Sequence, residues 1–253
     1  MLTAQRRQLI MKALQEDEAV QVAALAERFG VSEVTIRRDL AALDGQGGLR
    51  RIRGGALLTP PNLHEPTLLE REVVNRDAKQ RIGQAAAELV EDGDTIIVAG
   101  GTTTAELAKR LTRHSDLLVI TPTINVAALL SGSMGVTVLI TGGILVGPEQ
   151  TLAGHISEQA LRTLHADKLF ISVNALDIEH GLTSAHPSEI GVDMAMLRAA
   201  NRRIVLADHT KLGRAATCTF GAVTEIHTLI TDSDAPSRLL DDLRELGIEV
   251  IVV

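Results

Sequence analysis

The segment between residues 22 and 55 constrains the fold more than any other part of the chain. Its apolar residues recur at helical spacing in two consecutive stretches, each of which marks one face of a short helix. Gly30 lies between the stretches, where glycine adopts a left-handed turn without strain. Ser32 is placed to cap the second helix with its hydroxyl. The apolar residues of this pattern are Ala24, Leu25, Phe29, Val31, Ile36, Leu40 and Leu43.

A basic stretch follows the second predicted helix. Gly47-Gly48 permits a turn, three arginines occur within residues 49–53, and Gly54-Gly55 follows. A helix-turn-helix followed by an arginine-rich hairpin is typical of a winged helix-turn-helix, which places its second helix in the major groove of DNA. The alternative is a helical hairpin whose charges are only solvated. However, a turn glycine, an N-cap, a basic helix end and a basic hairpin occur here together and in order, which favours DNA binding.

Polar and basic residues that face away from the apolar pattern are the predicted contacts to double-stranded DNA. Arginines of the hairpin can contact phosphates or enter the minor groove. The sequence does not decide which of the arginines in the second helix and the hairpin reads a base and which contacts a phosphate. The predicted contacts are Ser32, Thr35, Arg37, Arg38, Arg51 and Arg53.

Charge is distributed unevenly between the two parts of the chain. The formal net charge is −7, but residues 1–60 carry a net +2 and residues 61–253 a net −9. A weakly basic DNA-binding part gives modest affinity on its own. We therefore expect a homo-oligomer, a dimer or a tetramer, that binds repeated half-sites of an operator.

The rest of the chain alternates between short apolar strands and helical stretches. This order predicts an α/β domain with a mostly parallel sheet covered on both faces. Pro60-Pro61 interrupts regular structure before the α/β domain begins. We predict a winged helix-turn-helix over 1–57, a linker over 58–75 and the α/β domain over 76–253. The predicted strands are Thr95–Ala99, Leu117–Thr121, Thr137–Thr141, Lys168–Val173, Arg203–Ala207, Thr228–Thr231 and Glu249–Val253.

Several loops that follow predicted strands suggest an anion site. The sequence GGTTT at 100–104 follows the first strand and opens a helix, so its backbone amides and hydroxyls suit a phosphate. Thr121 and Asn125, the pair Gly142-Gly143, and the loop with Lys211 follow other strands. Ligands of parallel α/β folds bind at the carboxyl ends of strands, so these loops are predicted to converge. Each loop taken alone is also consistent with a capped turn.

The chain resembles the DeoR-type family of bacterial transcriptional repressors. The resemblance rests on Val31-Ser32 with the sequence TIRRDL at 35–40, and on the strand-end loops. It implies a C-terminal domain similar to ribose-5-phosphate isomerase, which binds a phosphorylated sugar and releases DNA. The predicted effector-binding residues are Gly101, Thr102, Thr103, Thr104, Thr121, Asn125, Gly142, Gly143, Asp177 and Lys211.

Two departures from the family pattern bear on the ligand and on catalysis. Ala99 stands where the family usually has an aspartate, and Asn174 stands where the related isomerases have a carboxylate. Because an amide is not a general base, we expect no enzyme activity. A sugar-phosphate isomerase or deaminase with a DNA-binding module is the competing interpretation. His186 and Glu189 fit either an acid–base pair or a capped polar loop, and we favour the loop. An activator, or a sensor of a ligand that is not a sugar, also stays open.

Composition bounds the remaining classes of function. A single cysteine, Cys218, argues against an intramolecular disulfide framework, and we expect a cytoplasmic protein without a signal peptide. Residues 117–148 carry no charge, but prolines and glycines divide them, so we expect buried elements and no membrane span. The histidines show no paired metal-ligand spacing, and neither a metal nor another cofactor is expected.

Overall fold

The computed structural model describes residues 3–17, 19–44, 49–52, 54–58, 68–147 and 150–253. The chain divides into two compact units, Met1–Thr67 and Leu68–Val253. The expected division into 1–57, 58–75 and 76–253 differs in one respect, because part of the segment predicted as linker is helical and begins the second unit.

The N-terminal unit combines three helices with a small antiparallel sheet. Strand β3 lies in the middle of this sheet and pairs with both β1 and β2. The apolar residues predicted to face inward, among them Leu25, Ile36 and Leu40, are buried in one core. This is the winged helix-turn-helix that the sequence predicts. Its elements are α1 (Thr3–Asp17), β1 (Ala19–Gln21), α2 (Val22–Phe29), α3 (Glu33–Asp44), β2 (Leu49–Ile52) and β3 (Gly55–Leu58).

Two glycines permit the tight geometry of this unit. Gly30 ends α2 in the left-handed conformation with φ 64°, as predicted for the turn between the helices. A methyl group at Gly55 would lie 2.1 Å from the carbonyl oxygen of Val20, so β1 and β3 approach each other closely only because residue 55 is glycine.

The C-terminal unit is an α/β domain of seven helices and twelve strands among the described residues. Its helices are α4 (Leu68–Val73), α5 (Arg76–Ala87), α6 (Thr102–Leu111), α7 (Ile124–Leu130), α8 (His155–Arg162), α9 (Ile190–Ala199) and α10 (Ser237–Glu245). Its strands are β4 (Thr95–Val98), β5 (Leu117–Thr121), β6 (Val136–Ile140), β7 (Ile144–Val146), β8 (Thr151–Ala153), β9 (Ala166–Ser172), β10 (Ala175–Asp177), β11 (Gly181–Ser184), β12 (Ala200–Leu206), β13 (Cys218–Gly221), β14 (Thr228–Thr231) and β15 (Glu249–Val252).

Seven of these strands form one parallel sheet in the order β15-β14-β12-β9-β4-β5-β6. They are the seven strands that the sequence predicts. Apolar residues of α5, α6 and α7 pack with Ile96, Val98 and Phe170 on one face. Residues of α8, α9 and α10 pack with Ile97 and Leu169 on the other. The predicted α/β class, with a parallel sheet covered on both faces, is confirmed.

The strand order reverses between β4 and β9. From β4 the chain proceeds through β5 to β6 on one side, whereas β9, β12, β14 and β15 follow one another on the other side. Loops after β4 and β9 therefore leave the sheet in opposite directions and open a crevice at its carboxyl edge. In open α/β sheets this switch point is where ligands bind.

Two small β structures were not predicted from the sequence. Strands β7 and β8 form an antiparallel ribbon, and β10, β11 and β13 form a separate antiparallel sheet. Each has only three or four residues, too few for an alternating pattern to stand out. No helix in the described ranges has the length and apolar character needed to cross a membrane.

Candidate functional site: a helix surface and a switch-point crevice

The start of α3 presents two hydroxyl groups. The backbone N–H of Thr35 donates to Ser32 Oγ at 3.2 Å, and the two side-chain hydroxyl oxygens lie 2.9 Å apart. Ser32 thus caps α3 as predicted, since a serine side chain satisfies an amide that the first helical turn leaves without a partner. This bond fixes where α3 begins.

The arginines predicted to contact DNA lie at the surface of the N-terminal unit where they are described. Arg37 and Arg38 are exposed on α3, and Arg51 is exposed on β2. Arg37 forms an ion pair with Glu33 whose side chains are 56% and 48% exposed, so the pair is weak and can be exchanged for a phosphate contact. Arg53 lies outside the described residues.

A buried carboxylate anchors the same helix and was not singled out from the sequence. Asp39 Oδ2 accepts from Arg6 Nε at 2.6 Å, and Oδ1 accepts from Arg7 Nε at 3.0 Å. Asp39 is 2% exposed, so both of its oxygens depend on these two arginines of α1. Asp39 lies three residues after Ile36, on the apolar face of the helix, and this position in the sequence indicates that its side chain is buried.

In the C-terminal unit, the GGTTT loop lies at the switch point. Gly101 has φ 130°, and a methyl group there would lie 3.0 Å from Ser172 Cβ at the end of β9. Thr104 Oγ1 donates to the Gly101 carbonyl at 3.0 Å, while no side chain caps the start of α6. Thr102 and Thr103 are buried in the first turn of α6. Of this loop, Gly100 lines the crevice, whereas Thr102 lines a separate groove.

The crevice has a polar lining drawn from both sides of the switch point. Ala99 and Asn174, the two positions that depart from the family pattern, both line it. Asn174 Oδ1 accepts from Ser184 Oγ at 3.2 Å and from the Ala185 N–H at 3.1 Å, which fixes the amide in place. The complete lining consists of Arg71, Ala99, Gly100, Pro122, Thr151, Ser172, Val173, Asn174, Ser184, Glu189, Asp193, Met196 and Phe220.

Two carboxylates enter this lining from the start of α9. Glu189 precedes the helix and Asp193 follows one turn later, so both point to the same side. Burial, reinforced by the charge of Glu189, raises the pKa of Asp193 to about 8. At neutral pH a protonated Asp193 can both donate and accept a hydrogen bond. Sequence analysis named Glu189 but missed Asp193.

A cluster of positive charges adjoins the crevice through Arg71. Burial lowers the pKa of Lys211, and the nearby charges of Arg71 and Arg214 lower it further. Burial also lowers the pKa of Lys79, which is 5% exposed and lies within electrostatic range of Arg71 and Lys211. Asp208 opposes both shifts. We call Arg71, Lys79 and Lys211 the cation cluster.

The charged forms of the two lysines in the cation cluster are destabilised, as the lowered pKa values of Lys79 and Lys211 show. Burial and positive neighbours disfavour the charged form of both lysines, while Asp208 favours it, so an anion bound nearby would stabilise the charged form further. Lys211 was predicted as a phosphate ligand. Arg71 and Lys79 were not, since Arg71 fell in the predicted linker and a buried lysine in an amphipathic helix is not visible as a pattern.

Other predicted effector residues serve the fold. Thr121 Oγ1 donates to the Val98 carbonyl at 2.7 Å, so its hydroxyl fixes the end of β5. Gly142 and Gly143, with φ 76° and 125°, turn the chain from β6 into β7. None of these residues lines the crevice.

Two further predicted residues lie elsewhere in the C-terminal unit. Asp177 Oδ1 accepts from the backbone N–H groups of Glu179 and His180 and from the His180 ring, so it caps the turn between β10 and β11. Asn125 lines a separate groove between α4, α6 and α7. Neither Asp177 nor Asn125 lines the crevice, whereas Asn174, Glu189 and Asp193 do.

One group of possible metal ligands occurs in the described part of the chain. Ligand atoms of His209, Asp232 and Asp234 all lie within 4.8 Å of one another. Asp232 already accepts from the His209 N–H at 2.8 Å and the His209 ring at 2.9 Å. These hydrogen bonds, together with one from the Asp234 N–H to Asp232 Oδ1, form a capped turn after β14, which explains why the three side chains lie close together.

The fold and the two sites define a class: a DNA-binding regulator with a winged helix-turn-helix and a separate sensor domain. Two family models match the chain, the DeoR-like helix-turn-helix domain over residues 6–61 and the DeoR C-terminal sensor domain over residues 74–233. The chain belongs to the DeoR family of transcriptional regulators.

Curated relatives are similar to this chain over almost its whole length. It is 37% identical over 254 residues to a putative aga operon transcriptional repressor of Escherichia coli O157:H7, covering 99% of this chain and 94% of the relative. It is 34% identical to the transcriptional repressor GlcR of Bacillus subtilis, covering 100% and 97%. It is 32% identical to the regulator GlpR of Haloferax volcanii, covering 99% and 98%.

Among solved structures, ribose 5-phosphate isomerase A of Methanocaldococcus jannaschii matches 55% of this chain and 55% of its own, with 18% identity and a TM-score of 0.40. The fold assignment above does not depend on this match, since it follows from the strand order.

Proposed function

We propose that this regulator represses a catabolic operon for a sugar or sugar derivative, and that a phosphorylated sugar bound in the crevice releases it from its operator. The observation that carries the proposal is the cation cluster beside a polar crevice at the switch point. The names of two relatives agree with this, because both are called repressors and one is the repressor of the aga operon.

A sugar phosphate has two chemical ends, and the crevice offers partners for both. The phosphate would bind the cation cluster and the uncapped amides at the start of α6. The hydroxyl groups would bind Asn174, Glu189 and Asp193, which supply an amide, a carboxylate and a carboxylic acid. This assignment keeps Lys211 and the Gly101–Thr104 loop from the sequence prediction.

At the operator, we propose that α3 enters the major groove and that β2 and β3 lie along the backbone. The proposed contacts are Ser32, Thr35, Arg37, Arg38, Arg51 and Arg53. For the ligand to release DNA, it must bind more tightly to an arrangement of the molecule that does not fit the operator. We also propose that the regulator acts in the cytoplasm as a homo-oligomer.

The DNA-binding part is tested on the DNA upstream of the protein's own gene. We expect Arg37→Ala and Arg38→Ala to weaken binding, measured by fluorescence anisotropy, by about tenfold each, as for loss of a direct contact of 1–3 kcal/mol. Arg244→Ala, an exposed arginine on α10, is the matched control. Unchanged affinity in both α3 variants would contradict the placement of this helix.

The sensor part is tested with a panel of aldose and ketose phosphates added to the protein–DNA complex. We expect at least one to release DNA from the wild type, and Lys211→Met to need at least tenfold more of it. Arg244→Met should respond like the wild type. If no phosphorylated sugar releases DNA, or if Lys211→Met responds normally, the proposed ligand class is wrong.

An enzyme remains the second candidate, because Asp193 has a raised pKa in the crevice beside Glu189. Such a pair suits proton transfer. We propose that the crevice releases its ligand unchanged. Incubation with the same sugar phosphates, followed by NMR, decides between the two. Turnover by the wild type that is lost in Asp193→Asn would establish the enzyme.

A further inference from the structure

One apolar side chain of α3 faces away from the core. Successive residues of a helix are about 100° apart, so Val34 lies on the face opposite the buried residues. Its exposed fraction is 62%, the highest of any large apolar side chain in the described part of the N-terminal unit. The buried residues that mark the inner face of α3 are Ile36, Asp39, Leu40 and Leu43.

The fold gives no reason for a valine at position 34. Val31, three residues earlier, packs against the core of the N-terminal unit, whereas Val34 belongs neither to that core nor to the residues packed against it. A β-branched residue is also a poorer helix former than alanine, so an exposed valine slightly destabilises α3. The side chain is therefore free to contact a partner of this helix.

The residues around Val34 define the chemistry of that partner. Arg37 and Arg38, three and four residues later, share its face of the helix and are exposed. Ala41, two turns after Val34, is exposed on the same face. Two cations beside two small apolar side chains fit a surface that carries both negative charge and methyl groups. The major groove of DNA is such a surface, because phosphates flank it and thymine presents a 5-methyl group there.

We infer that Val34 contacts the 5-methyl group of a thymine in each half-site of the operator, and that this contact contributes to sequence specificity. Val34 is the second residue of α3, and the N-terminal residues of a recognition helix are those that contact base edges. The hydroxyl groups of Ser32 and Thr35 lie 2.9 Å apart and bond to each other, which leaves Val34 exposed between them and the arginines. The inference rests on the proposed function in that α3 must enter the major groove.

The contact is tested by removing the methyl groups from either side. Each thymine of the bound DNA upstream of the protein's own gene is replaced in turn by deoxyuridine, which lacks the 5-methyl group but pairs normally, and affinity is measured by fluorescence anisotropy. We expect one position in each half-site where the wild type loses about fourfold in affinity, the effect of one buried methyl group. Val34→Ala should bind the unmodified DNA more weakly and should not respond to deoxyuridine at that position.

Salt titrations separate this contact from a phosphate contact. Val34 carries no charge, so Val34→Ala should keep the wild-type slope of log affinity against log salt. Val73→Ala, which changes a 71% exposed valine of α4, is the matched control and should respond to deoxyuridine as the wild type does. Because alanine favours a helix more than valine, a loss of affinity in Val34→Ala is not a loss of α3, and circular dichroism checks this.

Two results would overturn the inference and leave the proposed function standing. In the first, deoxyuridine weakens wild-type binding at no position, or weakens the wild type and Val34→Ala equally wherever it acts. In the second, Val34→Ala binds the unmodified DNA as tightly as the wild type. A wild type that does not bind this DNA at all would instead contradict the proposed DNA-binding function, and the inference with it.

Discussion

At the scale of single residues, the crevice depends on ionisable groups whose pKa values are moved by burial. The pKa of Asp193 is raised to about 8, while burial lowers the pKa of Lys79 and of Lys211. All three shifts favour the neutral form of the group. A ligand that hydrogen-bonds the acid and brings an anion to the lysines would offset this cost of burial.

We predict that Asp193 makes stability depend on pH. Its pKa is about 8 in the folded chain and 3.8 for an ordinary aspartate, so between those pH values the native state binds the extra proton. Stability should therefore fall as pH rises through this window, by up to about 1.4 kcal/mol per pH unit. Asp193→Asn should remove that contribution, as seen by urea unfolding at pH 5 and pH 8.

The matched control is Asp241→Asn, an exposed aspartate on α10 that should leave the pH dependence unchanged. If Asp193→Asn loses as much stability as the wild type between the two pH values, the carboxyl group is not protonated in the folded chain.

Sequence analysis placed some of these residues and could not place others. It predicted Lys211 and the Gly101–Thr104 loop as phosphate ligands, because polar residues after an apolar strand are a local pattern, and that role stays a prediction. It missed Asp193 and Arg71, because their position in the crevice depends on which turn of a helix faces the sheet edge. That is decided by packing between segments far apart in the chain.

At the scale of elements, α3 is held to α1 by a carboxylate and two arginines. The Arg6 side chain is 8% exposed and that of Asp39 is 3% exposed, so this contact is largely shielded from water. The orientation of α3, and with it the direction of Arg37 and Arg38, depends on this anchor.

We predict that Asp39→Ala destabilises the N-terminal unit by about 3 kcal/mol, because Arg6 would stay buried without its partner. Hydrogen exchange of the α1 and α3 amides in the full chain measures this. Glu33→Ala removes an exposed ion pair of the same helix and should cost about 0.5 kcal/mol or less. Similar protection in Asp39→Ala and Glu33→Ala would show that Asp39 is not an anchor.

The elements themselves differ in how far the sequence predicts them. β5 and β14 were predicted with the observed bounds, because a buried parallel strand is a continuous apolar stretch. α4 was missed inside the predicted linker, and β7 and β8 were missed because glycines around Ile144–Val146 resemble a loop. Those short elements are stable only through their contacts with the rest of the domain.

At the scale of the whole molecule, positive charge is concentrated in the part that binds DNA. Residues 1–60 carry +2 within a chain of net charge −7. The acidic remainder repels the DNA backbone, which favours contact through the N-terminal unit alone.

We predict that operator affinity falls with salt concentration, and that Arg51→Ala reduces the slope of log affinity against log salt by about 1 for each N-terminal unit bound. Anisotropy titrations at four salt concentrations measure it. Arg113→Ala, an exposed arginine of the C-terminal unit, should leave the slope unchanged. The reverse pattern would mean that the C-terminal unit contacts DNA.

Phe220, which lines the crevice, has a practical consequence in a chain with no tryptophan, no tyrosine and only three phenylalanines. The wild type is nearly silent in near-ultraviolet absorption and in fluorescence. A Phe220→Trp variant would carry the molecule's one indole, in contact with the crevice. Its emission would report ligand entry in real time without any added dye, at concentrations where the state of assembly can be chosen.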